Sequence, residues 1–186
     1  MFIVYPIILA IIISFFLKRS EESSPKLKFK FSPLVIIALI IQIIIFNTWW
    51  VQHMDQAFTP GIYGISLVLI YIFILFNHKF KGLKTIAFGV AANGIAIFSN
   101  GGLMPTTPQA LMAINPEYYS KITSQGAYFN SRLVNETTNF SFLCDIFHTP
   151  TWLPLANVFS VGDVLIAVGA FILILTYMTI PLARHK

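Results

Sequence analysis

Long apolar runs separated by short polar clusters set the plan of the chain. They cover roughly residues 1–17, 32–51, 61–76, 83–98 and 161–182. None shows the strict alternation of a half-buried strand, so each predicts a helix. A bilayer core about 30 Å thick is crossed by roughly 17 to 25 apolar residues in a helix. In lipid each segment must satisfy its own backbone, which a helix does. The pattern therefore predicts an all-α, polytopic membrane protein of about five transmembrane helices, forming a single membrane domain over residues 1–186. The run 83–98 is the least uniform. Gly89, Asn93 and Gly94 interrupt it, and such small residues predict tilt, a kink or close packing against a neighbouring helix.

Composition supports this class. Of 186 residues, 56% are hydrophobic and 10% charged, with a mean hydropathy of +0.77, whereas soluble domains carry about 25% charged residues. In the first run the positive charges Lys18 and Arg19 follow the apolar stretch instead of preceding it. That is the reverse of a secretory signal, so the run is expected to be retained.

The charges then set an orientation. Ten of the twelve basic residues fall on one side of the five runs: Lys18, Arg19, Lys26, Lys28 and Lys30, then Lys79, Lys81 and Lys84, then Arg184 and Lys186. The other side holds Lys121 and Arg132, together with Asp55, Glu117, Glu136 and Asp145. The positive-inside rule predicts an outside N-terminus and a cytoplasmic C-terminus. Trp49, Trp50 and Trp152 all fall at the outer boundary, where an interfacial aromatic belt belongs. The net charge of +5 follows from this asymmetry and calls for no nucleic-acid partner.

Between the fourth and fifth runs lies an outer segment of about sixty residues, a length that usually carries function or its own structure. Thr107 before Pro108 and Asn115 before Pro116 each put a capping side chain ahead of a proline suited to the first helical position. Two short helices are expected there, the second ending at Gly126, lying on the membrane surface. Cys144 is the only cysteine, which excludes an internal disulfide and a thiolate metal cluster. It is expected in the outer loop, where it reacts with an impermeant thiol reagent unless the loop buries it. No cofactor or metal is implied.

Two resemblances add to this reading. The run Asn100-Gly101-Gly102-Leu103-Met104-Pro105, with Phe159-Ser160-Val161-Gly162-Asp163, resembles the paired signatures of an uncharacterised family of small bacterial multi-spanning membrane proteins, a domain of unknown function. The likeness runs from about the second apolar run onward and implies a multi-pass protein of the bacterial cytoplasmic membrane. Apart from the likeness, the polar and turn-forming residues toward the outer ends of the fourth and fifth runs are expected to form a binding or structural outer cap: Asn93, Asn100, Gly101, Gly102, Met104, Pro105, Asn157 and Ser160. Separately, Leu143-Cys144-Asp145, Trp152 to Pro154, Asn157 and Asp163 are similar to the end of lipoprotein signal peptidases. That likeness implies Asp145 and Asp163 as a catalytic pair, in which neighbouring carboxyls that cannot both ionise act as acid and base. The spacing departs from that family, since Asn157 stands six residues before Asp163 where its members have three. The residues also allow plainer roles: Ser160 and Asp163 have capping-box spacing, and Asp145 can be a solvated loop acid.

No run carries an ionisable residue near its centre, which disfavours an ion-coupled carrier. Gln42, Asn93 and Thr176 read as hydrogen-bonding glue between helices. The expectation is a binding module or accessory subunit, with membrane lipids and another membrane protein as partners. The alternative is a membrane aspartyl peptidase.

Overall fold

The computed structural model describes residues 2–17, 28–54 and 56–178. Lys18, Arg19, Lys26, Asp55, Arg184 and Lys186 lie outside the described residues. The protein is mostly helical. Its apolar helices are α1 (Val4–Phe16), α2 (Ser32–Ile45), α4 (Thr59–Asn77), α5 (Leu83–Phe98) and α8 (Val161–Tyr177), with the short α3 (Thr48–His53) between α2 and α4. Among the described residues, only α4, at 19 residues, is long and apolar enough by itself to cross a membrane; the other four have 13 to 17 residues. The run expected over 32–51 is broken. Asn47 adopts an extended backbone and its side chain accepts a hydrogen bond from Trp49 N at 2.9 Å, which starts α3 in a new direction.

The five apolar helices pack side by side in the order α1, α8, α5, α4, α2. The starts of α1 and α8 are adjacent, with Phe2 stacked on Phe159 at 4.1 Å and the Tyr5 hydroxyl donating to the Pro154 carbonyl. The α5 and α8 helices run antiparallel and nearly touch backbone to backbone. A Cβ built on Gly89 would stand 2.5 Å from the Gly162 carbonyl, and one on Gly162 would stand 2.8 Å from the Gly89 carbonyl. Seven residues further along each helix, Gly82 and Gly169 meet in the same reciprocal way. Gln42 donates to Ser66 Oγ at 3.0 Å and joins α2 to α4, the role expected of it. At the basic end, buried Asn77 exchanges hydrogen bonds with the backbone of Lys30 and ties the end of α4 to the start of α2.

Residues 99–160 form a cap over the opposite end. It contains β1 (Met104–Thr106), α6 (Pro108–Ile114), α7 (Pro116–Gln125), β2 (Ala127–Tyr128), β3 (Ser131–Leu133), β4 (Phe147–His148) and β5 (Val158–Phe159). Strand β3 is central, parallel to β1 with Met104 opposite Ser131, and antiparallel to β2. Strands β4 and β5 form a separate antiparallel pair. The all-α expectation is thus corrected to mostly helical with two small sheets, because strands of two or three residues are too short to show a period of two. Both short helices begin where the proline signals place them. Their apolar residues Ala110, Leu111 and Ile122 are buried, with α6 against β4 and β5 and α7 against β2 and β3.

Candidate functional site

The first turn of α8 meets α5 through a closed polar ring. Ser160, extended and fully buried, accepts a hydrogen bond from Asp163 N at 3.0 Å, while Asp163 Oδ2 accepts one from Ser160 N at 3.0 Å. This is the capping box its spacing suggested. The Ser160 hydroxyl donates to Asn93 Oδ1 at 2.7 Å, and Asn93 Nδ2 donates to Asp163 Oδ1 at 3.0 Å. Both oxygens of Asp163 are therefore held, and Asn93, Ser160 and Asp163 form one cluster.

The other expected cap residues do different jobs. Asn100 is buried and stitches the end of α5 to the 138–140 loop. Its amide donates to the carbonyls of Ala96 and Asn139, and its Oδ1 accepts from Asn139 N at 2.9 Å. Gly101 and Gly102 follow at φ +76° and +85°, ending the helix in the left-handed region that glycine tolerates. Met104 packs on Ala96 and Ile97, and buried Pro105 offers its carbonyl to Asp145 N at 3.0 Å. Asn157 exchanges hydrogen bonds with Thr149 and borders a cavity.

Asp145 is where structure and sequence part most. It lies beside β1, bridging Thr106, with its carbonyl accepting from Thr107 N at 3.1 Å. The expected solvated loop acid is instead half-buried. Its side chain borders a cavity of about 330 Å³ with Tyr118, Asn130, Ser131 and Asn157, and its carboxyl has no hydrogen-bond donor among the described residues. Burial, and secondly the negative charge of Asp163, push this carboxyl up to about 8. The two acids thus feel each other, although no hydrogen bond joins them. The Tyr63 ring on α4 lies within electrostatic reach of both. Beneath Asp145 the hydroxyl of Thr106 is fully buried and without a partner among the described residues. An orphan of that kind costs about 1 to 3 kcal/mol and marks an unsatisfied polar spot.

Tyr118 forms another wall of the cavity. Its hydroxyl donates to the Tyr128 carbonyl at 3.0 Å, and burial raises its pKa above the ordinary phenol value, opposed by the contact with Ser131. Asn115, also on the wall, caps α7 by accepting from Tyr118 N at 2.9 Å. A second cavity of about 390 Å³, mostly apolar, lies between the start of α4, the end of α5 and the β2–β3 turn, and Asn130 borders both. Sequence reading missed Tyr63, Thr106, Tyr118 and Asn130. Asn115 was legible only as a cap, and Tyr63 only as part of an apolar run.

The reagent-accessible Cys144 is also corrected. It is wholly buried, its Sγ lies 3.6 Å from the Phe140 carbonyl, and burial pushes the thiol up to about 11. His148 Nδ1 lies 3.0 Å from the Thr149 carbonyl. No group of three or more His, Cys, Asp or Glu side chains that could hold a metal ion occurs among the described residues.

Comparison with known proteins agrees with an uncharacterised family. The model of a family of unknown function, DUF5317, matches residues 26–175. An uncharacterized protein of Thermotoga maritima is 32% identical over 113 residues, 58% of this chain. The match spans 59% of that relative's length. No solved structure matches.

Proposed function

This chain belongs to DUF5317, a family of unknown function, and we propose that it is a multi-pass membrane binding protein whose site is the Asp145 cavity under its cap. The observation that carries the membrane reading is the surface of the five apolar helices. Phe16 on α1, Ile43 on α2, Leu75 on α4 and Phe88 on α5 leave 60% to 80% of their surface open, and similar residues surround them. A soluble monomer rarely exposes a contiguous apolar patch beyond a few hundred Å². Each such side chain kept in water forgoes roughly 1.5 to 3 kcal/mol of burial. Lipid removes that penalty, and the helices shorter than α4 are accommodated by local thinning or by flanking residues. The bundle then forms one membrane domain in the bacterial cytoplasmic membrane. Lys28, Lys30, Lys79, Lys81 and Lys84 lie at the cytoplasmic end and the cap lies outside.

Two introduced cysteines test this orientation. Because buried Cys144 should not label in the folded protein, it need not be removed. Glu136→Cys in the exposed cap loop is expected to react with an impermeant maleimide in intact cells, and Lys79→Cys only after permeabilisation. The reverse pattern would invert the protein, and labelling of both in intact cells would remove the membrane reading.

A second reading, a membrane aspartyl peptidase using Asp145 and Asp163, is favoured by the influence of the Asp163 charge on Asp145. Under it, Asp163→Asn abolishes cleavage of a lipoprotein precursor while the folded amount holds. Under a binding role there is no cleavage to lose. Breaking the capping box then costs about 1 kcal/mol, measured by melting of the detergent-solubilised protein.

A further inference from the structure

We propose that the cavity bordered by Leu111, Tyr118, Asn130, Asp145 and Asn157 binds a primary ammonium group, with Asp145 as its counter-ion. The inference deepens the binding reading above and rests on it for the side from which the ligand arrives.

Asp145 brings a carboxyl with no donor to a cavity whose lining contains no Lys, Arg or His. The ionisable groups around it are Asp163 on α8, Tyr63 on α4, Tyr118 on α7 and Cys144 beside it. Arg132 on β3 is near enough to act on Cys144. An anionic ligand would face the Asp145 carboxyl, with the charge of Asp163 acting behind it and no compensating cation in the wall. A neutral ligand would leave a buried carboxyl unused. A divalent cation such as calcium takes six to eight oxygens, usually several of them carboxylate, and this lining has one carboxylate.

A primary ammonium fits the remaining chemistry. Its three N–H groups need acceptors at different angles, and Asp145 supplies charge-assisted ones. Asn130 and Asn157 bring amide-bearing residues to the same lining, and Tyr118 an aromatic one. A volume of about 330 Å³ accommodates a small molecule. The amine can be free in solution or be the ethanolamine headgroup of a lipid, and both present the same group.

Binding must take the charged form of Asp145, so it is coupled to a proton. Below pH 8 the free site holds its proton, pushed up by burial and then by Asp163. A ligand that needs the carboxylate therefore releases one proton, and its affinity rises about tenfold per pH unit until the free site is ionised. An alkylamine stays cationic throughout this range.

The test is calorimetric titration of the detergent-solubilised full chain with n-butylamine from pH 6 to 9, in two buffers of different ionisation heat. Saturable binding is expected, about tenfold tighter at pH 7 than at pH 6 and level above about pH 8.5, with proton release below pH 8. Asp145→Asn should lose both the affinity and the pH dependence while its melting transition shows that it folds. Sodium butyrate and tetramethylammonium should not bind. Displacement of the amine by short-chain phosphatidylethanolamine, and not by phosphatidylglycerol, would identify a lipid headgroup as the source; displacement by neither would identify a free amine. The proposal is overturned by absence of saturable amine binding, by undiminished binding to Asp145→Asn, or by equal binding of tetramethylammonium. Cysteine labelling decides the membrane orientation separately, so failure of that reading and failure of this one are told apart.

Discussion

Asp145→Asn is expected to stabilise the protein at pH 8.5 by a few kcal/mol and to remove most of the fall in stability between pH 4 and pH 8. The reason lies in where the proton sits. Burial first and Asp163 second raise the Asp145 carboxyl from 3.8 to about 8, so over that interval the folded protein keeps a proton that the unfolded chain releases. Stability then falls as pH rises through the window and is lowest above pH 8, the opposite of a carboxylate held by donors. The full interval corresponds to an upper bound of roughly 6 kcal/mol. The side chain keeps some solvent contact, which brings the expectation down to a few. Asparagine keeps the shape and drops the charge. Thermal melts of wild type and variant at pH 5, 7 and 8.5 decide the matter. Equal curves at every pH would return Asp145 to the status of a solvated loop acid, and destabilisation at high pH would mean that donors hold it. A carboxyl that costs stability and has no structural partner is the kind of group retained for a task.

Gly162→Ala is expected to destabilise the protein by more than about 3 kcal/mol or to abolish its folded yield, whereas Gly94→Ala should change stability by at most about 1 kcal/mol. A Cβ at position 162 would collide with the Asn93 side-chain oxygen and stand 2.8 Å from the Gly89 carbonyl. Neither can yield cheaply. The Gly89 carbonyl belongs to a helix backbone, and Asn93 is held in the ring with Ser160 and Asp163. Overpacking alone costs about 1 to 3 kcal/mol, and opening the ring strips Asp163 and Ser160 of partners as well. At Gly94 the nearest atom is Leu67 Cδ1 at 3.9 Å, an ordinary contact, so only helix propensity changes. Melting temperature and the monodisperse fraction in detergent report both variants. Similar behaviour of the two would remove the α5–α8 glycine contact as the basis of the packing.

These two glycines also show what could be read beforehand. Gly89, Asn93 and Gly94 were recognisable as a place for close packing, because small residues in an apolar run have few other uses in lipid. Which of them makes the contact depends on the helix they meet. That helix is α8, more than sixty residues on, and its Gly162 and Gly169 match Gly89 and Gly82 in antiparallel register.

The sequence by itself determined the five apolar helices and the two cap helices. Each of these rests on local signals: the length and period of apolar runs, and a capping side chain before a proline. It also determined the capping box, since Ser160 and Asp163 stand three residues apart. The tertiary structure decided the small sheets, whose strands are too short to carry a pattern, and the burial of Cys144. It decided above all the state of Asp145. Asp163, whose charge adds to burial in setting that state, lies on α8, and Thr106, Tyr63 and Tyr118 come near Asp145 from β1, α4 and α7. Desolvation and charge act through space, so a carboxyl's behaviour follows from which distant segments fold around it and not from its neighbours in the chain.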